Sequence, residues 1–361
     1  KILEAQEHLP GSVFQQLASY TSIKDPLKSA IGEYITFTQT VAPDKFDDTF
    51  YEADGILFEL AKNGLIEKSC IQLVIKSKLT DWLGDADNFE KGCEFFRIFS
   101  KIQFIEQSWI LDFNLIPKLL QAQKNLETHG DYMLDLLRVW MPQFPEIIPH
   151  FLEQMLEFFY NEKASYIVSE LLWMLNCIIE DGLIDLNLIR EFKLVEKLAT
   201  GIASYLSQDV EDSEKRFLSE CNLVNIFETF AKKDLLTQSI LLEFQIIKQL
   251  FSQTTFNPEI NNSWSNFIET FFHTLINKSL ITKAELIEQS VSYLSLTDIP
   301  DDQKRLTQSN VIMFLEFSLP IDKELVKEHQ LIEKLFKMYS LFDRDSKEGK
   351  ALYHLFAELS K

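Results

Sequence analysis

The chain has 361 residues, 46% of them hydrophobic, and a formal net charge of −20. That apolar content excludes intrinsic disorder, and the length calls for either two domains or one elongated architecture. The acidity argues against nucleic-acid or anionic-membrane binding, which needs Lys and Arg to neutralise phosphates; it favours a basic protein partner, or serves solubility alone.

Ten glycines and ten prolines over the whole length are too few for a turn-rich all-β fold, and apolar residues recur at helical spacing instead. The fold class read from this is all-α. In chain order, amphipathic helices are predicted in "DPLKSAIGEYITFTQ" (25–39), "FYEADGILFELAKNG" (50–64), "NFEKGCEFFRIFSKI" (88–102) and "HGDYMLDLLRVWMPQ" (129–143). "SELLWMLNCIIEDG" (169–182), "LLTQSILLEFQIIKQLFSQ" (235–253), "ITKAELIEQSVSYLSL" (281–296) and "SKEGKALYHLFAELSK" (346–361) follow.

A shorter phrase recurs between them: a polar lead-in, two aliphatic residues, two variable positions and a large apolar residue. Its copies place a marker aliphatic at 66, 116, 148, 195, 224, 268, 312 and 332, at a mean spacing near 40 with two short gaps. Helices alone at this period are the signature of an armadillo or HEAT array, in which no unit buries its apolar stripe without a neighbour. The expectation is one domain over 1–361, a right-handed superhelical solenoid of about eight to ten repeats, some truncated. A plain helical bundle would explain the amphipathicity but not the recurring phrase.

Nothing in the sequence has the spacing of a catalytic or metal site. The six histidines are scattered, and there is no HExxH, phosphate loop or nucleophile elbow. Cys70, Cys93, Cys177 and Cys221 lie far apart and read as reduced thiols of a cytoplasmic or nuclear protein. No uncharged apolar run reaches the length of a membrane span. The expectation is a non-enzymatic protein with no cofactor and no metal.

One residue stands out. At 100° per residue, Val168, Leu171, Leu172, Leu175 and Ile179 make a complete core stripe, and Trp173 falls on nearly the opposite side. Either that ring stacks on a partner, or it packs on a neighbouring repeat.

At these residues the chain resembles the armadillo domain of the importin-α family, adaptors that carry nuclear localisation signals. "ILDFNLIPKLLQ" is similar to the family's second-helix phrase. "SELLWMLNCIIEDG" and "MLDLLRVWMPQFP" are similar to its third helices, and "HQLIEKLFKMYSLFDRDSKEGKALYHLF" to its final repeat. The resemblance implies a concave groove lined by third helices, where Trp rings sandwich cargo lysines, Asn amides clamp the cargo backbone and acids meet the ammonium groups.

This sequence departs from that pattern. Trp173 alone stands at a matching Trp position; four residues later comes Cys177, with Asn176 one place early. By the same alignment the groove pairs elsewhere are Gly55 and Glu59, Asp131 and Asp135, Gln245 and Gln249, and Gln289 and Tyr293. The partner site implied by the resemblance is therefore Trp173 with Glu170, Asn176, Cys177 and Glu180, extended by Glu59, Asp131, Asp135, Gln245 and Gln249. Its implied ligand is an extended basic segment of a protein, with importin-β bound through a basic tail ahead of residue 1. An armadillo-type chaperone cofactor or scaffold gripping a folded partner is the alternative.

Overall fold

The computed structural model describes residue 29 and residues 57–84, 86–126, 130–161, 166–206, 213–253, 262–294 and 301–360. Every element among them is helical, and no strand occurs. The helix expected over 25–39 lies, but for residue 29, outside these residues. The chain forms two compact units, Lys1–Gln154 and Met155–Lys361.

In the first unit a helical segment at 57–62 precedes α1 (Lys68–Trp82), α2 (Ala86–Lys101), α3 (Gln107–Asp112), α4 (Leu115–Leu126) and α5 (Asp131–Gln143). Helix α6 (Ile147–Asn161) carries the chain past the unit boundary. The second unit continues with α7 (Tyr166–Glu180), α8 (Leu186–Phe192), α9 (Leu194–Leu206), α10 (Ser213–Lys232), α11 (Gln238–Glu243) and α12 (Ile246–Gln253). It ends with α13 (Asn262–Asn277), α14 (Lys283–Tyr293), α15 (Asp301–Phe317), α16 (Lys323–Glu328), α17 (Leu331–Tyr339) and α18 (Lys347–Leu359).

Two local devices recur and set the period. Helices end at a left-handed residue, Gly64, Gln103, Gly182, Asp234 or Ser279, with φ between 55° and 70°. The amide after it reaches back five residues (Leu65 to Leu60, Phe104 to Phe99, Leu183 to Ile178, Leu235 to Phe230, Leu280 to Leu275), at 2.8–3.0 Å. This is the Schellman closure that satisfies orphan carbonyls at a helix end.

Two residues beyond each stop stands a buried aliphatic (Ile66, Ile105, Ile184, Leu236, Ile281). The next residue (Glu67, Glu106, Asp185, Thr237, Thr282) is the N-cap of the following helix. Leu319–Pro320–Ile321–Asp322 has the same layout, with Asp322 again the N-cap.

The second device is a break eleven residues after Gln103, Gly182, Asp234 and Leu319. At these places Asn114, Lys193, Gln245 and Gln330, with φ of 49° to 53°, separate a short first helix from a second one. Among the described residues this gives four three-helix repeats: α3–α4–α5, α8–α9–α10, α11–α12–α13 and α16–α17–α18. The marker phrase had mixed locations. Ile116, Val195 and Ile332 open second helices, whereas Val224, Ile268 and Ile312 lie inside the long α10, α13 and α15, which explains the uneven gaps.

The break at Gln245 also divides the single helix expected over 235–253 into α11 and α12. A non-glycine residue held there costs about 1–2 kcal/mol. Lys193→Gly is therefore expected to stabilise the protein by about 0.5–1 kcal/mol after the entropy that glycine adds to the unfolded chain. Gly182→Ala, with φ 70° and open space around it, is expected to destabilise by about 1 kcal/mol. Urea denaturation of both variants checks the pair.

Within each unit the third helices of successive repeats pack on one another. In the first unit Trp140 Nε1 of α5 donates to Ser100 Oγ of α2 at 2.8 Å, inside a cluster of Trp82, Phe95, Phe96 and Phe99. Gly92 lets α2 lie against Trp82, since a Cβ there would stand 2.8 Å from Trp82 Cβ.

In the second unit Asn222 of α10 donates to the Ser169 carbonyl of α7 at 3.1 Å, and Thr229 donates to Asn176 Oδ1 at 2.6 Å. Both contacts are 53 residues apart in sequence, so the two helices run in register. Thr274 of α13 donates to Glu228 of α10 at 3.2 Å, and Ser309 of α15 to Glu348 of α18 at 2.8 Å.

Candidate functional site

Helix α7 presents the residues that carry the sequence-based site. Val168, Leu171, Leu172, Leu175, Ile178 and Ile179 are all fully buried, so the core stripe is complete without Trp173, as its spacing required. Trp173, Glu170, Asn176 and Cys177 are half-buried and Glu180 is exposed, forming one arc of the helix surface. Trp173 lies about 40° from Ser169 and 60° from Asn176 around the helix axis at 100° per residue. Those two residues bind α10. The ring therefore stands beside the α7–α10 seam, on the flank away from the core.

The polar groups around it are partly committed. Thr229 joins Asn176 Oδ1 and lies 3.4 Å from Glu180 Oε1. One end of the Asn176 amide is thus used and the other has no partner among the described residues. Asn176 and Glu180 are fixed by α10 rather than by their own helix, so α10 positions this side of the site.

The repeated helix stops give a register that the sequence reading lacked. Trp173 and Cys177 stand nine and five residues before Gly182. The same places before Gly64 are Gly55, outside the described residues, and Glu59, which is half-buried and lies 3.5 Å from Lys62 Nζ. Before Asp234 they are Asn225 and Thr229; before Ser279, Thr270 and Thr274. The Gly55–Glu59 alignment is thus in step with Trp173–Cys177.

Two other alignments are corrected. Gln245 is the left-handed break between α11 and α12, and Gln249 lies in the second helix α12, its amide donating to the Gln245 carbonyl at 2.9 Å. Neither is on a third helix; α13 is the third helix of that repeat. Gln289 and Tyr293 lie on α14, where Tyr293 packs 5.8 Å from Phe251 and burial raises its phenol pKa to about 12. A stretch of apolar periodicity cannot reveal which helix of a repeat it forms when the break residue is a glutamine.

In the first unit Asp131 and Asp135 are exposed on the third helix α5. Asp135 pairs with Arg138 at 3.3 Å. On α2, Arg97 is gripped by Glu94, whose hydrogen bonds, together with the charges of Glu94 and Asp135, hold its guanidinium above the usual pKa. Asp135 and Glu94 are thus matched by arginines of their own unit, unlike Glu180, which has no cationic partner among the described residues.

Cys70, Cys93 and Cys221 are buried, and none of the four cysteines forms a disulfide. Burial pushes the Cys221 thiol up to about 12, with Glu220 adding to it, and raises Cys93 further, so neither is a ready thiolate. Among the described residues no group of three or more His, Cys, Asp or Glu could hold a metal ion. No helix among them is long and apolar enough to cross a membrane.

Comparison with known proteins returns nothing: no family model, no curated protein and no solved structure matches this chain.

Proposed function

We propose that this chain is a non-enzymatic protein-binding adaptor of armadillo type, similar in design to importin-α, that holds an extended basic segment of a protein partner on the third-helix face of its second unit. One observation carries the reading: Trp173 is half-buried beside Asn176 and between Glu170 and Glu180, on a helix whose core stripe is complete without it.

A ring so placed covers the aliphatic stem of a lysine, while carboxylates at its flanks meet the ammonium head. The Asn176 amide end left over from Thr229 can bond an extended backbone. The repeating three-helix layout, with its paired left-handed breaks, supports the armadillo assignment. The arginines beside Asp135 and Glu94 argue for a shorter basic segment than a groove acidic along its whole length would take. Transport between cytoplasm and nucleus, with importin-β recruited through a basic tail, is the cellular role this design fits.

Isothermal titration with a lysine-rich extended peptide tests the reading. Binding is expected to weaken several-fold between low and physiological salt, because exposed charges are screened beyond about 8–10 Å. Absence of binding at low salt, or affinity that is flat with salt, would refute it.

A further inference from the structure

The seam between third helices repeats one hydrogen bond at a fixed place. Asn176 of α7 stands six residues before the stop at Gly182, and Thr229 of α10 five before the stop at Asp234. One repeat on, the counterparts are Glu228 of α10 and Thr274 of α13, five before Ser279, and they are bonded as well. Counting from the stop therefore matches neighbouring third helices residue by residue.

One residue before the stop the match breaks. Lys278 of α13 reaches Asp234, the stop of the preceding repeat, at 2.8 Å. The equivalent lysine on α10 is Lys233, and the equivalent stop is Gly182, which offers no side chain. A Cβ at Gly182 would touch nothing within 4 Å, so the space that the Asp234 side chain enters in one repeat is open in the other. Lys233 is half-buried and has no carboxylate partner among the described residues. Its neighbour Lys232 is held by Glu228 at 2.8 Å.

Lys233 also borders the residues around Trp173. Its amide donates to the Thr229 carbonyl at 3.0 Å, one turn back on α10, and the Thr229 hydroxyl lies 3.4 Å from Glu180 Oε1. An acid without a cation and a cation without an acid thus flank one seam.

We propose that Lys233 takes a carboxylate of the bound partner, an Asp or Glu side chain of the same extended segment whose lysine rests on Trp173 and Glu180. The inference rests on the third-helix reading above and narrows its ligand. The segment carries both charges close together, since an unbroken basic run would be repelled by Lys233. Its carboxylate meets Lys233 as Asp234 meets Lys278. Packed helices lie about 8–10 Å apart, a distance an extended chain spans in about three residues.

Isothermal titration at low salt with two extended peptides tests the proposal. One carries an aspartate about three residues to each side of a central lysine pair; the other carries asparagine at both places. A net charge of −20 on its own favours the more cationic asparagine peptide. The proposal predicts the reverse, with the aspartate peptide bound about threefold to fivefold tighter, as for one partly exposed ion pair. Lys233→Met, which keeps the aliphatic stem, is expected to abolish that preference. So is Gly182→Asp, which supplies from within the carboxylate that Asp234 gives Lys278, in a backbone conformation aspartate accepts. Circular dichroism checks that both variants fold, and the ratio of the two affinities is unaffected by a general weakening. An asparagine peptide bound at least as tightly by the wild type, or a preference that survives either variant, overturns the proposal and leaves the third-helix reading standing. Binding of neither peptide overturns both.

Discussion

Trp140→Ala is expected to cost the first unit about 3–5 kcal/mol, the range for removing a fully buried large aromatic. Trp140 has no exposed surface, and its indole nitrogen holds Ser100 Oγ at 2.8 Å, while that hydroxyl donates to the Phe96 carbonyl at 2.6 Å. Truncation leaves a cavity beside Phe96, whose ring lies 5.7 Å from that of Trp140, and also strips the buried serine of its donor. Trp140→Phe restores most of the volume but not the hydrogen bond. It should recover roughly 2–3 kcal/mol of the loss. Chemical denaturation of the three proteins, followed by a probe confined to the first unit, checks the order.

Phe251→Ala is expected to be as damaging in the second unit, again about 3–5 kcal/mol, and Phe336→Ala close to neutral, within about 0.5 kcal/mol. The two residues hold the same place in the repeat, six after the left-handed break. Phe251 is a hub for Phe272, Tyr293 and Phe314, with ring centroids at 5.5, 5.8 and 5.5 Å. Among the described residues the ring of Phe336 pairs with Phe356 of its own repeat. Melting of the two single variants measures directly what one stacked repeat contributes to the one before it. Equal losses at the two positions would show that the repeat register is misplaced.

The helices themselves were legible because burial is periodic. Val168 through Ile179 on α7 repeat at helical spacing, and the structure buries each of the stripe residues named from that spacing. The breaks were not legible, because a left-handed residue is announced by glycine or asparagine, and here Gln103, Lys193, Asp234, Gln245, Ser279 and Gln330 hold that conformation without either.

A better signal was present. The four-residue runs "GLIE", "QFIE", "GLID", "DLLT", "SLIT" and "LPID", starting at 64, 103, 182, 234, 279 and 319, each pair a helix stop with a buried aliphatic and an N-cap. Reading them first would have placed Gln245 at a break and Gln289 on α14. At the site, the side of Trp173 followed from helix geometry alone. The commitment of Asn176 and Glu180 to Thr229, 53 and 49 residues on, could not, since it depends on how α10 packs.

Whether Trp173 faces a partner or serves the fold is decided by measuring Trp173→Ala for melting and for binding of a lysine-rich extended peptide, side by side. A groove-facing ring should leave the melting temperature nearly unchanged and weaken binding by roughly 2 kcal/mol or more, about thirtyfold. A loss of about 3–5 kcal/mol in stability, with the remaining folded protein binding the peptide as the wild type does, would make Trp173 a packing residue and contradict the account.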